Sequence, residues 1–162
     1  MKVTNTILMI LCFLSLSFGS SELFGQAGSP EKPPRPMSVS SLQSLSFGTF
    51  TSGIGGTVTI DTWGGRTVSG VIALGSITYC PAVFLIDGEP GTMVRWIGSD
   101  ATLTNGSGGI MTLHIDNSQN AYVSALSSSG DIRISIGGTL SVGALTPPGN
   151  YTGTFSITFI QE

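Results

Sequence analysis

The chain has 162 residues, about one domain's worth, of which 9% are charged and 40% hydrophobic, with a formal net charge of −3. No basic run is present to neutralise phosphates, which argues against a nucleic-acid binder, and the apolar content argues against a disordered tail. Two cysteines, Cys12 and Cys80, cannot staple a disulfide-dense scaffold.

Residues 1–26 read as a secretory signal peptide. Lys2 supplies the positive start, and Ile7 to Phe13 with Leu14 and Leu16 supply an apolar stretch. That stretch is about half the roughly 20 residues a transmembrane helix needs. Cleavage is expected near Gly25, Gln26 or Ala27, with a cut after Ser20 as the alternative. Cys12 lies inside the apolar run behind Leu11, a poor setting for lipidation. The mature chain is therefore expected to be exported to the periplasm, cell surface or medium, without a transmembrane span. Residues 27–37 (AGSPEKPPRPM) carry four prolines and read as an extended linker.

Beyond residue 26 there are 21 Gly, 19 Ser and 16 Thr, so 56 of 136 residues are small or hydroxylic, a composition poor in helix formers and rich in strand and turn residues. Period-two alternation marks Thr57–Asp61, Val68–Leu74, Ala82–Ile86, Met93–Ile97, Ala101–Leu103, Ile110–Ile115, Ile132–Ile136, Leu140–Val142 and Tyr151–Ile160. The pattern predicts an all-β domain over 38–162: an antiparallel β-sandwich of immunoglobulin-like or pilin-like architecture, with eight to ten short strands. A barrel is the alternative. The expected core is Val58, Ile60, Val71, Phe84, Ile86, Val94, Trp96, Met111, Leu113, Ile134, Ile136, Leu140, Val142, Phe155 and Ile157. Gly137 and Gly138 are expected to mark a bulge or bend between two strand halves.

Seven segments occur in a suggestive order: FGTF (47–50), GGTVTI (55–60), GVIAL (70–74), PAVFLIDGEPG (81–91), LTNGSGGIMTL (103–113), IGGTLSVG (136–143) and PPGNYTGTFSITF (147–159). Over residues 45–160 the chain resembles the bacterial domain of unknown function 4402 family. The resemblance implies an exported β-sandwich, distantly similar to spore-coat U and fimbrial subunits, and carries over no catalytic residue. Tyr79, Cys80 and Pro81 depart from the small polar residues usual there.

The chemistry-bearing residues are few. Cys80 reads first as a small hydrophobe opening a core strand, and otherwise as a thiol bridging two copies. His114 is the single histidine; if Leu113 and Ile115 point inward it points out, and although Asp116 is near, no G-x-S-x-G elbow supports a triad. Asp61, Asp87, Glu89, Asp100, Asp116 and Asp131 flank small turn residues and read as carboxylates capping backbone donors. DGEPG (87–91) offers two carboxylates for calcium but lacks a spaced ligand series. No catalytic residue, metal site or cofactor is expected. Trp63, in the turn TWGGR, either stacks on a sugar ring with Arg66 and Tyr122 or, the more economical expectation, folds back to lid the end of the sandwich.

The leading functional expectation is a non-enzymatic structural or adhesive surface protein, a fimbria-like subunit meeting itself or other surface subunits through edge strands. The alternative is a small carbohydrate-binding module built on Trp63, and a hydrolase is held in reserve. The terminal segments are expected to form strands that pair with each other or with a neighbour.

Overall fold

Alternating apolar and hydroxylic residues can bury one face of a pleated strand and wet the other, and the chain uses this device throughout. A computed structural model describes residues 33, 35–75, 78–116 and 124–162; the expected signal segment, most of the expected linker and Tyr122 lie outside them. The compact unit runs over Pro34–Glu162.

Its strands are β1 (Ser38–Gln43), β2 (Phe50–Thr51), β3 (Gly56–Ile60), β4 (Arg66–Ser69), β5 (Ile72–Ala73), β6 (Ala82–Asp87), β7 (Met93–Gly98), β8 (Ala101–Thr104), β9 (Ile110–Ile115), β10 (Ser124–Ala125), β11 (Asp131–Ile136), β12 (Gly138–Val142) and β13 (Ile157–Gln161). No helix occurs among the described residues. Among the described residues ten strands have four or more residues, the upper end of the expected range; β2, β5 and β10 are two-residue additions too short to show a period.

The strands form antiparallel sheets ordered β4-β3-β12-β9-β8, β1-β6-β11, β10-β7-β13 and β2-β5. Their inward residues make one core, as expected of a β-sandwich. Val58 and Ile60 of β3, Leu140 and Val142 of β12, and Met111, Leu113 and Ile115 of β9 cluster with Ala82 and Ile86 of β6, Val94 and Trp96 of β7, and Ile134 and Ile136 of β11. Burying a side chain of this size fully contributes about 1.5–3 kcal/mol.

Twelve of the fifteen expected core residues are buried, while Phe84, Phe155 and Ile157 are only half-buried. Phe84 meets Phe159 of β13 edge to face, with ring centroids 5.5 Å apart, the arrangement aromatic quadrupoles favour. Phe47, Ala82, Ile115 and Leu126 complete the buried set.

Two expected strands are broken, each for a visible reason. The run 68–74 divides into β4 and β5 at Gly70, whose φ is 73° and whose Cα lies so near the Gly55 carbonyl that a Cβ would come within 2.1 Å of its oxygen. The run 151–160 is a strand only from Ile157. Its first part follows β8 through the Thr104–Thr152 bridge, and Ser99 N then donates to Ser156 O at 3.0 Å before β13 pairs with β7 from Ile157↔Gly98. This segment thus turns the same corner as the β7–β8 connection, from one sheet to another.

A second sheet change lies at Gly137–Gly138, where β11 leaves β6 and β12 enters the five-stranded sheet. The expected bend is there, produced by close approach. Neither glycine has a positive φ, but a Cβ on Gly137 would lie 2.3 Å from the Ile60 carbonyl oxygen.

The terminal strands pair within the chain, β1 with β6 and β13 with β7, and not with each other.

Candidate functional site

Register turns alternation into a surface. On the outer face of the five-stranded sheet, Thr67 lies opposite Thr59, Thr59 opposite Thr139, and Thr139 opposite His114. The next row is Ser69, Thr57, Ser141, Thr112 and Thr102. Neighbouring strands stand about 4.8 Å apart, so the face carries two ordered rows of hydroxyls, and Thr59 and Thr139 share a 2.9 Å hydrogen bond.

Over the first row, beside the β3–β4 turn, is a shallow groove of about 270 Å³. Trp63, Asp61 and Thr62 lie on one side, His114 and Asp116 on the other, and Thr59, Ile60, Thr139 and Gly137–Gly138 complete the lining. The Asp61 carboxylate accepts from Trp63 N at 2.9 Å and Gly65 N at 2.7 Å. The turn backbone is thereby fixed while the indole stays outside, 91% exposed. The expected lid over the sandwich end is therefore not formed.

His114 points outward, as alternation with buried Leu113 and Ile115 requires. Its Nδ1 lies 2.9 Å from the Asp100 carboxylate, whose other oxygen accepts from Ile115 N at 3.2 Å. A carboxylate only accepts, so Nδ1 carries the proton. The hydrogen bond and charge of Asp100 raise the His114 pKa above its ordinary 6.5, with a smaller push from Asp116. Reciprocally, the hydrogen bond from His114 is the main cause that lowers the Asp100 pKa.

Of the trio proposed from sequence, Trp63 and Arg66 are described, and Arg66 does not line the groove with Trp63. Arg66 turns toward another part of the chain, where Nη1 donates to Phe47 O at 3.3 Å and Thr49 O at 3.4 Å, and Nη2 donates to Leu74 O at 3.3 Å. Its guanidinium lies 4.4 Å from the Tyr79 ring centroid, a cation–π contact. It ties loops together where a partner for Trp63 was expected. Tyr122 is outside the described residues. Thr59, Thr139, His114 and Asp116 line the groove with Trp63, and adjacent-strand register, invisible in a linear reading, is the signal that would have found them.

The other candidates are engaged structurally. Arg35 forms an ion pair with Asp87, donates from Nε to Gly88 O at 3.0 Å and from its backbone N to Glu89 Oε2 at 3.2 Å. The DGEPG turn is thus clamped by a cation from the end of the proline-rich segment. Asp131 accepts from Ser127 Oγ at 2.8 Å and from Ser129 Oγ, and these hydroxyls lower its pKa. Cys80 is half-buried beside the Ser46 bridge just before β6, with Sγ 3.4 Å from Ser44 O.

A larger cleft of about 550 Å³ lies between residues 45–52 and 146–151, floored by Leu103, Met111, Leu140 and Val142. Tyr151 OH donates to Pro147 O at 2.6 Å and accepts from Asn105 Nδ2 at 3.3 Å at its rim. Among the described residues its lining contains no acid, base or thiol that could move a proton near neutral pH.

Among the described residues no helix is long and apolar enough to cross a membrane. Residues 37–160 match the model of a family described as a domain of unknown function (DUF4402). Neither the curated proteins nor the solved structures gave a match.

Proposed function

The chain belongs to the DUF4402 family, and we propose that it is an exported, non-catalytic structural or adhesive β-sandwich, a fimbria-like surface subunit that meets further copies through an edge strand. The observation that carries this reading is β1. All six of its residues are exposed, and among the described strands it pairs only with β6. An edge of this kind offers unpaired backbone donors and acceptors to another chain. Val39 and Leu42 are 42% and 50% exposed on it, with no lysine or proline in the strand to discourage pairing. The register shift between Ser41 and Gln43 limits the flat pairing edge to its first residues.

Export is supported by the Lys2 and Ile7–Phe13 pattern. The non-catalytic part is supported by the engagement of Asp61, Asp87 and Asp131 in turns and an ion pair.

The test is light scattering after size exclusion over a range of protein concentrations. Association should rise with concentration for the native sequence and disappear in a Val39→Lys/Leu42→Lys double variant of unchanged melting temperature. A native protein that stays monomeric throughout would overturn the reading. The second reading, a carbohydrate-binding module using Trp63, is favoured by the exposure of that indole.

A further inference from the structure

We propose that the groove between Trp63 and His114 binds one neutral pyranose ring of a glycan, with the remaining sugars running over the hydroxyl rows of the five-stranded sheet. The inference deepens the carbohydrate-binding reading and is independent of the β1 edge.

Three observations converge on this ligand. First, the indole is exposed on a turn whose backbone is held. The Asp61 hydrogen bonds hold the turn backbone, so the loop need not be ordered to present the ring. A large aromatic face left in water favours a partner with an apolar face of its own, and the C–H face of a pyranose is such a partner.

Second, the opposite wall and floor are polar and can both give and accept hydrogen bonds. Thr59 and Thr139 supply hydroxyls, Asp116 a carboxylate and His114 an imidazole. Because Nδ1 is committed to Asp100, Nε2 is the atom left for a ligand. It accepts when the ring is neutral and donates when it is protonated, and a sugar hydroxyl satisfies either state. An apolar wall facing a few placed polar groups is the usual composition of a small-ligand site.

Third, the local charge selects among sugars. Asp61 and Asp116 line the groove and Asp100 stands behind His114, so three carboxylates face a single imidazole. Repulsion disfavours a uronate or sialic acid and leaves neutral hexoses and N-acetylhexosamines as the fitting class. The space, about 270 Å³, suits one ring, and a longer chain gains contacts only by extending over Thr57, Ser141 and Thr112.

The experiment is a glycan array carrying neutral hexose, N-acetylhexosamine and uronate oligosaccharides, followed by calorimetric titration of the best binders at several chain lengths. Neutral glycans should bind and uronates should not, and affinity should rise from monosaccharide to oligosaccharide. Trp63→Ala should weaken binding about tenfold or more while Trp63→Phe keeps most of it. Both variants should retain the native melting temperature and the native association behaviour, which separates failure here from failure of the β1 reading. Trp96 is buried and Trp63 exposed, so bound glycan should also shield the exposed fluorophore from acrylamide. Absence of any binder on the array, equal binding by Trp63→Ala, or preference for uronates would each overturn the proposal. Binding of monosaccharide as tight as that of longer chains would overturn the part assigned to the hydroxyl rows.

Discussion

The five-stranded sheet and the terminal strand β1 are built from similar residues and do opposite things with them. In the sheet, valine, isoleucine and leucine alternate with threonine and serine, and register stacks each kind on its own face from β4 to β8. In β1, Val39 and Leu42 fall out of a strict period of two, and all six positions remain exposed. Strict alternation gives burial wherever the apolar face meets the core, even on the edge strand β11, whose Ile134 and Ile136 are buried. An edge strand with a broken period presents its backbone and its apolar side chains to whatever lies outside.

That contrast is broken most severely from the sheet side. Leu140 is fully enclosed between β3 and β9, so Leu140→Ala removes buried methyl groups and leaves a cavity; the expected loss is about 2–5 kcal/mol by urea denaturation. Leu42→Ala deletes the same atoms from β1 and should change stability by no more than about 0.5 kcal/mol. Equal losses at the two positions would show that β1 is covered in solution. Gly137→Val is expected to cost about 1–3 kcal/mol, because the added Cβ drives into the Ile60 carbonyl at the sheet change. Gly143 supplies the control, since a Cβ there meets only the Thr146 hydroxyl at 3.2 Å, and alanine should be nearly neutral.

The legible part of the molecule divides along the same line. Faces were legible: the alternation at Val58 and Ile60, at Leu113 and Ile115, and at Leu140 and Val142 predicts their burial, and the outward position of His114 follows from its neighbours. Strand ends were less so. The run from Tyr151 to Ile160 alternates without interruption, yet its first half follows β8 and its second half β7, because the corner is set by packing at Gly98 and not by the segment itself. A Cβ at Gly98 would meet Ile115 and Ile157 side-chain atoms at 2.5 and 2.9 Å, a constraint between residues far apart in sequence. The site was legible only through Trp63. Arg66 is three residues away in the chain and chemically apt, but its donors are taken by Phe47, Thr49 and Leu74 carbonyls, whereas the residues across the groove from Trp63 come from β12, β9 and the residue after β9.

The N-terminal approach to β1 gives a smaller effect than the core. Arg35 ties the preceding chain to the DGEPG turn, with both members of the Arg35–Asp87 pair about half exposed. Solvent screening therefore discounts the pair, and the charge-assisted bonds to Gly88 O carry most of the contribution. Arg35→Ala should cost about 1 kcal/mol and increase amide exchange in β1 more than in β12. Uniform exchange changes across both strands would mean that the clamp supports the whole fold and not its edge.

The smallest effect is expected at the exposed rim of the five-stranded sheet, and it is read by titration. The histidine of the His114–Asp100 pair has a raised pKa and the aspartate a lowered one. A raised histidine pKa means that the folded chain holds the proton more tightly than the unfolded chain. Its stabilisation is thus complete below the unfolded value near 6.5 and fades as pH rises through the folded value. The lowered aspartate pKa acts in reverse: its stabilisation is present above the unfolded value near 3.8 and fades as pH falls through the folded value. The pair consequently contributes most between those limits, in mildly acidic solution, and fades on either side of them. Following the His114 ring protons by NMR should give a midpoint above 6.5 in the native protein. In Asp100→Asn the main cause is removed, and the midpoint should fall most of the way back, with the residue left by Asp116. A midpoint unchanged by that substitution would mean that Asp100 does not hold the ring in solution, and the fixed Nε2 on which the groove's sugar contact depends would go with it.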